Sequence, residues 1–161
     1  DRNTGMQSDF LRYFLYDLAK ADGEEVYHVL SNSKCLSADV NAAFDPTFSS
    51  AYEPKNASFL NEGVVISKYT GHGGKYDTSD ASAEYMAEIR AMLEKESIKW
   101  QIGELGKVDI GGGGTIAKYV ANMNVDVVDL GVAVLCMHAP FEIISKADIY
   151  MAYKAFYALF N

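Results

Sequence analysis

Two short runs in this sequence set a metal-binding type of side chain just beyond an apolar stretch that reads as a strand. The first is Leu36-Ser37-Ala38-Asp39-Val40, and the second is Ala133-Val134-Leu135-Cys136-Met137-His138. The C-terminal edge of a sheet is where α/β domains build their sites. A carboxylate oxygen and a neutral imidazole are both donors for a divalent cation such as zinc. Each residue also has a plainer reading. An Asp in this setting more often caps a helix or a turn, and a lone His more often has a structural role. Local sequence leaves both readings open for Asp39 and for His138. His28, beside Glu24 and Glu25, reads as a solvated helix residue. His72 lies in Gly71-His72-Gly73-Gly74, which serves equally as a site wall or an exposed turn.

A third constellation is Gly111-Gly112-Gly113-Gly114-Thr115, leading into an expected helix. Free glycine amides at a helix start can hold a carboxylate, a phosphate or a developing oxyanion. That makes Gly113 and Thr115 candidate substrate contacts. The run is a weak dinucleotide signal, with Glu142 only loosely where a ribose-binding acid belongs. The stretch before Lys75 is no phosphate loop, because Tyr69 and Tyr76 stand where that motif needs Gly and Ser or Thr.

The elements that must position these residues alternate between helices and apolar strands, which is the α/β signature, with a mixed sheet flanked by helices as the expected architecture. Helical spacing of Phe10, Leu11, Phe14, Leu15 and Leu18 predicts a first helix with Ser8 as its cap. A second, shorter helix runs from Glu24 to Leu30. Lys34 to Val40 reads as a strand, residues 41–62 as a long loop, and Gly63 to Tyr69 as a strand. A helix follows from about Ser79 to Glu96, with Asp80 in its first turn, and Ile98 to Leu105 reads as a strand. Val125–Leu130 and Ala133–Met137 read as two buried strands. A final helix begins near Ser145, with Asp148 in capping-box-like spacing.

Composition narrows the function classes. Lys and Arg total 14 against 22 Asp and Glu, a formal charge of −8, with no basic run. Nucleic-acid binding is therefore not expected. No apolar run approaches the roughly 18 residues of a membrane span, so no membrane partner is expected either. Cys35 and Cys136 sit in apolar runs without paired spacing, which suggests buried thiols in a reducing compartment and a cytoplasmic location.

Read in order, Asn3-Thr4-Gly5-Met6-Gln7-Ser8, Leu36-Ser37-Ala38-Asp39-Val40, Gly112-Gly113-Gly114-Thr115-Ile116, Val127-Val128-Asp129-Leu130-Gly131 and Met137-His138 resemble the aspartyl aminopeptidase and vacuolar aminopeptidase family of dinuclear zinc metallopeptidases. The likeness runs over nearly the whole chain. It implies a hydrolase that removes N-terminal residues, with acidic ones as candidates, from peptide substrates by metal-activated water. It carries the metal-ligand role over to Asp39 and His138, with two divalent ions, zinc before cobalt or manganese. Lys68, His72 and Lys75 fall where the family places substrate-side residues, and Glu142 is a candidate supporter of His138. A homo-oligomer, commonly a dodecamer, is implied as well.

The family pattern near the start also has a Glu-Glu stretch, where this chain reads Asp1-Arg2-Asn3-Thr4-Gly5. The expectation is that residues 1–161 form the C-terminal portion of one catalytic domain. The accessory β domain, the general-base Glu and the remaining ligands are then expected outside it, so that no catalytic residue is named here and these residues alone are inactive. A non-catalytic assembly module and a phosphate- or nucleotide-binding α/β domain are the alternatives.

Overall fold

The structure is a computed structural model that describes residues 5–73 and 76–161, apart from the side chains of His72, Tyr76 and Asp77. Its centre is one long strand, β7 (Asp126–Leu135). Around it lie β1 (Lys34–Ser37) and β2 (Asn41–Ala42), both parallel to β7, and β3 (Val64–Ser67), antiparallel to it. β6 (Trp100–Ile102) runs parallel to β3, and β8 (Ile143–Ile144) turns back along the end of β7. The sheet order is β1-β7-β3-β6, with β2 and β8 also on β7, which is a mixed sheet. A separate hairpin joins β4 (Tyr69–His72) to β5 (Tyr76–Asp80).

Successive side chains of a strand point to opposite faces, and β7 uses this to separate two environments. Val128 and Leu130 point to a face where they pack with Val64, Ile66, Tyr85, Ile89, Leu93 and Ala155. That face is covered by α3 (Ala83–Lys95), whose buried Tyr85, Ile89 and Leu93 recur one helical turn apart, and by α5 (Lys146–Phe160), whose buried Asp148 and Ala155 lie two turns apart. Val127, Asp129, Gly131 and Ala133 point the other way. There Val127 packs with Cys35 and with Ala117 and Val120 of α4 (Ala117–Ala121). α1 (Phe10–Ala21) and α2 (Val26–Ser31) precede the sheet. Among the described residues no helix is long and apolar enough to cross a membrane.

Several expectations are corrected. The two apolar runs expected as separate strands are one, because Gly131 continues the ladder opposite Val65. Of the glycine-rich stretch expected as a loop, Gly71 and His72 belong to β4, which pairs antiparallel with β5. The helix near residue 80 starts later, since Ser79 and Asp80 belong to β5 and Ser82 is the cap, its hydroxyl accepting from the Tyr85 N–H at 3.2 Å. Ser145 does cap α5, but Asp148 does not close a capping box. Its buried carboxylate instead accepts from the N–H groups of Asn61 and Gly63 at 2.8 and 2.9 Å, tying α5 to the turn that enters β3. Cys136 is exposed rather than buried, because the chain turns out of the sheet at that residue.

Candidate functional site

The expected strand end at Asp39 has a specific geometry. Ser37 faces Asp129 and Asn41 faces Ala133, a constant offset of 92 (129 − 37 = 133 − 41 = 92). Asp39 therefore lies level with Gly131, between the two paired segments. There the chain lifts off the sheet and crosses over the strand. A Cβ added to Gly131 would stand 1.4 Å from the Asp39 carbonyl oxygen. Only glycine leaves room for this crossing. The exposed Asp39 carboxylate accepts from the Val40 N–H through Oδ1 at 2.8 Å. Its other oxygen has no hydrogen-bond partner among the described residues.

Asp39 borders a small cleft of about 30 Å³ that is also lined by Asn41, Ser67, Gly113, Thr115 and Asp129. The cleft floor is a polar chain. Ser58 Oγ lies 3.0 Å from Asn41 Oδ1, Asn41 Nδ2 donates to Ser67 Oγ at 3.0 Å, and Ser67 Oγ donates to the Gly103 carbonyl at 3.0 Å. The bonds satisfy groups that burial would otherwise penalise. Next to this chain, Asp129 is only 5% exposed, and its Oδ2 accepts from Thr115 Oγ1 at 2.7 Å. Its Oδ1 and the neighbouring Ser37 hydroxyl are buried without a well-directed partner among the described residues. Burial pushes the Asp129 carboxyl above the ordinary carboxylate range. Proximity of the Ser37 and Thr115 hydroxyls opposes this shift, and the Asp39 charge adds to it.

His138 stands in the exposed turn between β7 and β8. Both Cys136 and His138 take left-handed backbone conformations there (φ 58° and 67°), a region uncommon outside glycine and a marker of imposed local structure. The His138 N–H donates to Glu142 Oε1 at 2.6 Å, so Glu142 closes the turn that carries the imidazole. His138 does not line the Asp39 cleft. Among the described residues no three His, Cys, Asp or Glu side chains group so as to hold a metal ion. Asp39 and His138 have the right chemistry for zinc, a hard oxygen and an imidazole, but two donors make only part of a shell that normally has four.

The remaining candidates divide. Gly113 and Thr115 join Asp39 at the cleft. Lys68 is engaged elsewhere: its ammonium pairs with Asp80, donates to the Ala81 carbonyl at 3.0 Å and lies 4.7 Å from the centre of the Tyr69 ring. The hydrogen bond to Asp80 holds its pKa above the ordinary lysine value, against opposing desolvation. His72 ends β4 with its side chain outside the description, and Lys75 lies outside the described residues. His28 is an exposed α2 residue edge-on to Tyr27, as expected of a surface position. Sequence reasoning gave no separate role to Asp129, Asn41 or Ser67. The available signal was an acidic residue inside the apolar run Val127-Val128-Asp129-Leu130.

An α/β sheet with a strand-end carboxylate lifted over a glycine in the middle of the neighbouring strand, beside a polar cleft walled by a glycine-rich loop, is the framework of a strand-edge enzyme site. Comparison with known proteins makes the class specific: residues 1–160 match the model of the aminopeptidase I zinc metalloprotease (M18) family, and the chain belongs to that family. The chain is 48% identical over 162 residues to the probable M18 family aminopeptidase 1 of Clostridium acetobutylicum, covering 98% of this chain and 35% of that protein. It superposes on the M18 aminopeptidase of Thermotoga maritima with a TM-score of 0.93 at 44% identity, over 99% of this chain and 36% of the other. The mApe1 dodecamer of S. cerevisiae shares the fold at 23% identity and a TM-score of 0.75, over 97% and 34%. The chain thus spans about a third of the length of the relatives it matches.

Proposed function

We propose that residues 1–161 are the C-terminal portion of the catalytic domain of a metal-dependent aminopeptidase that removes N-terminal residues from peptides. The observation that carries this reading is the Asp39 crossing. Within a chain of the M18 zinc metalloprotease family, the strand-end carboxylate is presented beside the cleft by a glycine that nothing larger can replace. Asp39 and His138 are the residues that would hold the metal, a pair of divalent ions with zinc first and cobalt or manganese as substitutes. Such ions supply Lewis acidity toward the scissile carbonyl and lower the pKa of a water toward about 7.

The chain's own residues do the positioning. Asp39 offers the carboxylate oxygen that Val40 leaves unengaged, and Glu142 fixes the backbone of the turn that aims His138. Gly113 and Thr115 form the substrate-side wall. The general base and the remaining ligands would come from chain beyond these residues. Lys68 supports an acid-selective pocket poorly, because an incoming carboxylate would compete with Asp80. His72 and Lys75 stay candidates for that role. A homo-oligomer is part of the proposal, and so is a cytoplasmic location, which the two free cysteines favour.

The test uses the full-length protein. Chelation should abolish hydrolysis of aminoacyl substrates, and added zinc, cobalt or manganese should restore it. Asp39→Ala and His138→Ala should each remove activity while leaving assembly intact. Wild-type rates in either variant would end the assignment.

A further inference from the structure

We propose that Asp129 is a positioning residue whose carboxylate latches the Gly111–Thr115 loop to the sheet beside Asp39, so that this mobile-by-composition segment forms a fixed wall of the cleft. The proposal rests on the aminopeptidase reading for the identity of the cleft, but the latch itself rests on geometry alone.

Four consecutive glycines leave the chain with more conformational freedom than any other residue type would. Gly111 N–H is held by the Lys107 carbonyl at 2.7 Å. Beyond that point, among the described residues, the Gly112–Thr115 segment is hydrogen-bonded to the sheet through one side chain. Thr115 Oγ1 donates to Asp129 Oδ2 at 2.7 Å. The same hydroxyl oxygen lies 3.2 Å from the Ala117 N–H and accepts from it, so one threonine anchors the loop and also opens α4. Gly113 is held against Leu105, with an added Cβ only 2.2 Å from the leucine Cδ2. The loop therefore approaches the cleft closely and depends on a polar anchor to stay there.

The acceptor is placed for this role. Asp129 stands level with Ser37 of β1 and with Ser67 of β3, in a row of polar residues across three strands. Ser37 leads directly into Ala38 and Asp39. The carboxylate thus sits between the segment that presents Asp39 and the loop that faces it. A buried carboxylate costs free energy unless its bonds repay it. A neutral apolar residue would fill this sheet position without that cost, but it could not hold Thr115.

The experiment compares Thr115→Val, which keeps shape and removes the hydroxyl, with Thr115→Ser, which keeps the hydroxyl, and with Asp129→Asn, which keeps a carbonyl acceptor. Amide hydrogen exchange across residues 111–117 is read in the full-length protein, alongside kcat, KM and bound metal. A hydrogen bond to a charged acceptor is strong enough that its loss should speed exchange by about tenfold or more in Thr115→Val. KM should rise by a similar factor, with a smaller change in kcat and metal content unchanged. Thr115→Ser should restore both readouts, and Asp129→Asn should restore them in part. Wild-type exchange in Thr115→Val would overturn the latch. Faster exchange with unchanged KM would overturn the loop's part in the cleft. Exchange is measurable without turnover, so a protein with no peptidase activity would defeat the aminopeptidase reading while the latch was still judged on its own.

Discussion

The two faces of β7 differ although they alternate along the same ten residues. One face carries Val128 and Leu130 into an apolar core under α3 and α5. The other carries Asp129 and Gly131 to a cleft bordered by Asp39, Gly113 and Thr115. Side chains one position apart therefore answer to different demands. The helix-covered face is filled with branched aliphatics that contribute through burial, about 1.5–3 kcal/mol for each fully buried Val, Leu or Ile. The other face, between the apolar contacts of Val127 and Ala133, holds a buried carboxylate, a glycine and a hydroxyl relay, none of which adds much by burial. Stability and chemistry are separated by the period of the strand rather than by domain.

That separation is open to breakage. Leu130→Ala should have the largest effect, a loss of about 2–5 kcal/mol of stability from lost burial and a residual cavity, read by urea unfolding. The folded fraction should keep its metal affinity. Gly131→Ala should do the reverse. Its methyl would meet the Asp39 carbonyl, and displacing the segment that carries the proposed ligand should weaken metal binding or activity by about 10–100-fold, as loss of ligand-orienting contacts does. Helix content should be preserved. If Leu130→Ala disturbed metal binding as much as Gly131→Ala, the two faces would not be independent.

A smaller effect concerns the pH dependence of Asp129. Burial raises this carboxyl above its unfolded value, so the folded protein binds its proton more tightly. The linkage slope is then negative. This group's contribution to stability is best at low pH, falls as pH rises from the unfolded to the folded pKa, and is fully lost above both. Asp129→Asn should therefore gain stability relative to the wild type as pH rises from the unfolded value of about 4 through the raised folded value. Asp39 and Cys35, the titratable groups whose electrostatic coupling to Asp129 is resolved, share the site. A stability difference that does not vary with pH would contradict the burial argument. The smallest effect is expected at Tyr85, whose buried hydroxyl has no hydrogen-bond partner among the described residues and whose pKa is pushed up to about 12, chiefly by burial. Tyr85→Phe removes no hydrogen bond, and the unfolding midpoint should be unchanged or slightly raised.

Periodicity made much of this legible before any coordinates. The stripe of Tyr85, Ile89 and Leu93, the capped final helix and the buried Val and Leu of β7 all have patterns set by local spacing. The strand-end position of Asp39 was legible for the same reason. What stayed hidden depends on contacts between distant segments. Gly131 reads locally as a break between strands, and its role is visible only when Asp39 passes over it. Asp148 has the spacing of a capping residue, but tertiary structure offers it Asn61 and Gly63. The β4–β5 hairpin is masked by glycines that usually mark loops. Asp129 could be seen inside an apolar run, but its partner Thr115 is 14 residues away. Nothing in the sequence states which face the two share.

The most direct test of the metal-centre assignment is anomalous scattering at the zinc edge from crystals of the full-length protein. The account predicts a zinc pair with one ion about 2.0–2.2 Å from an Asp39 carboxylate oxygen and an ion at similar distance from a His138 ring nitrogen. Zinc peaks that left either side chain beyond coordination distance would contradict it.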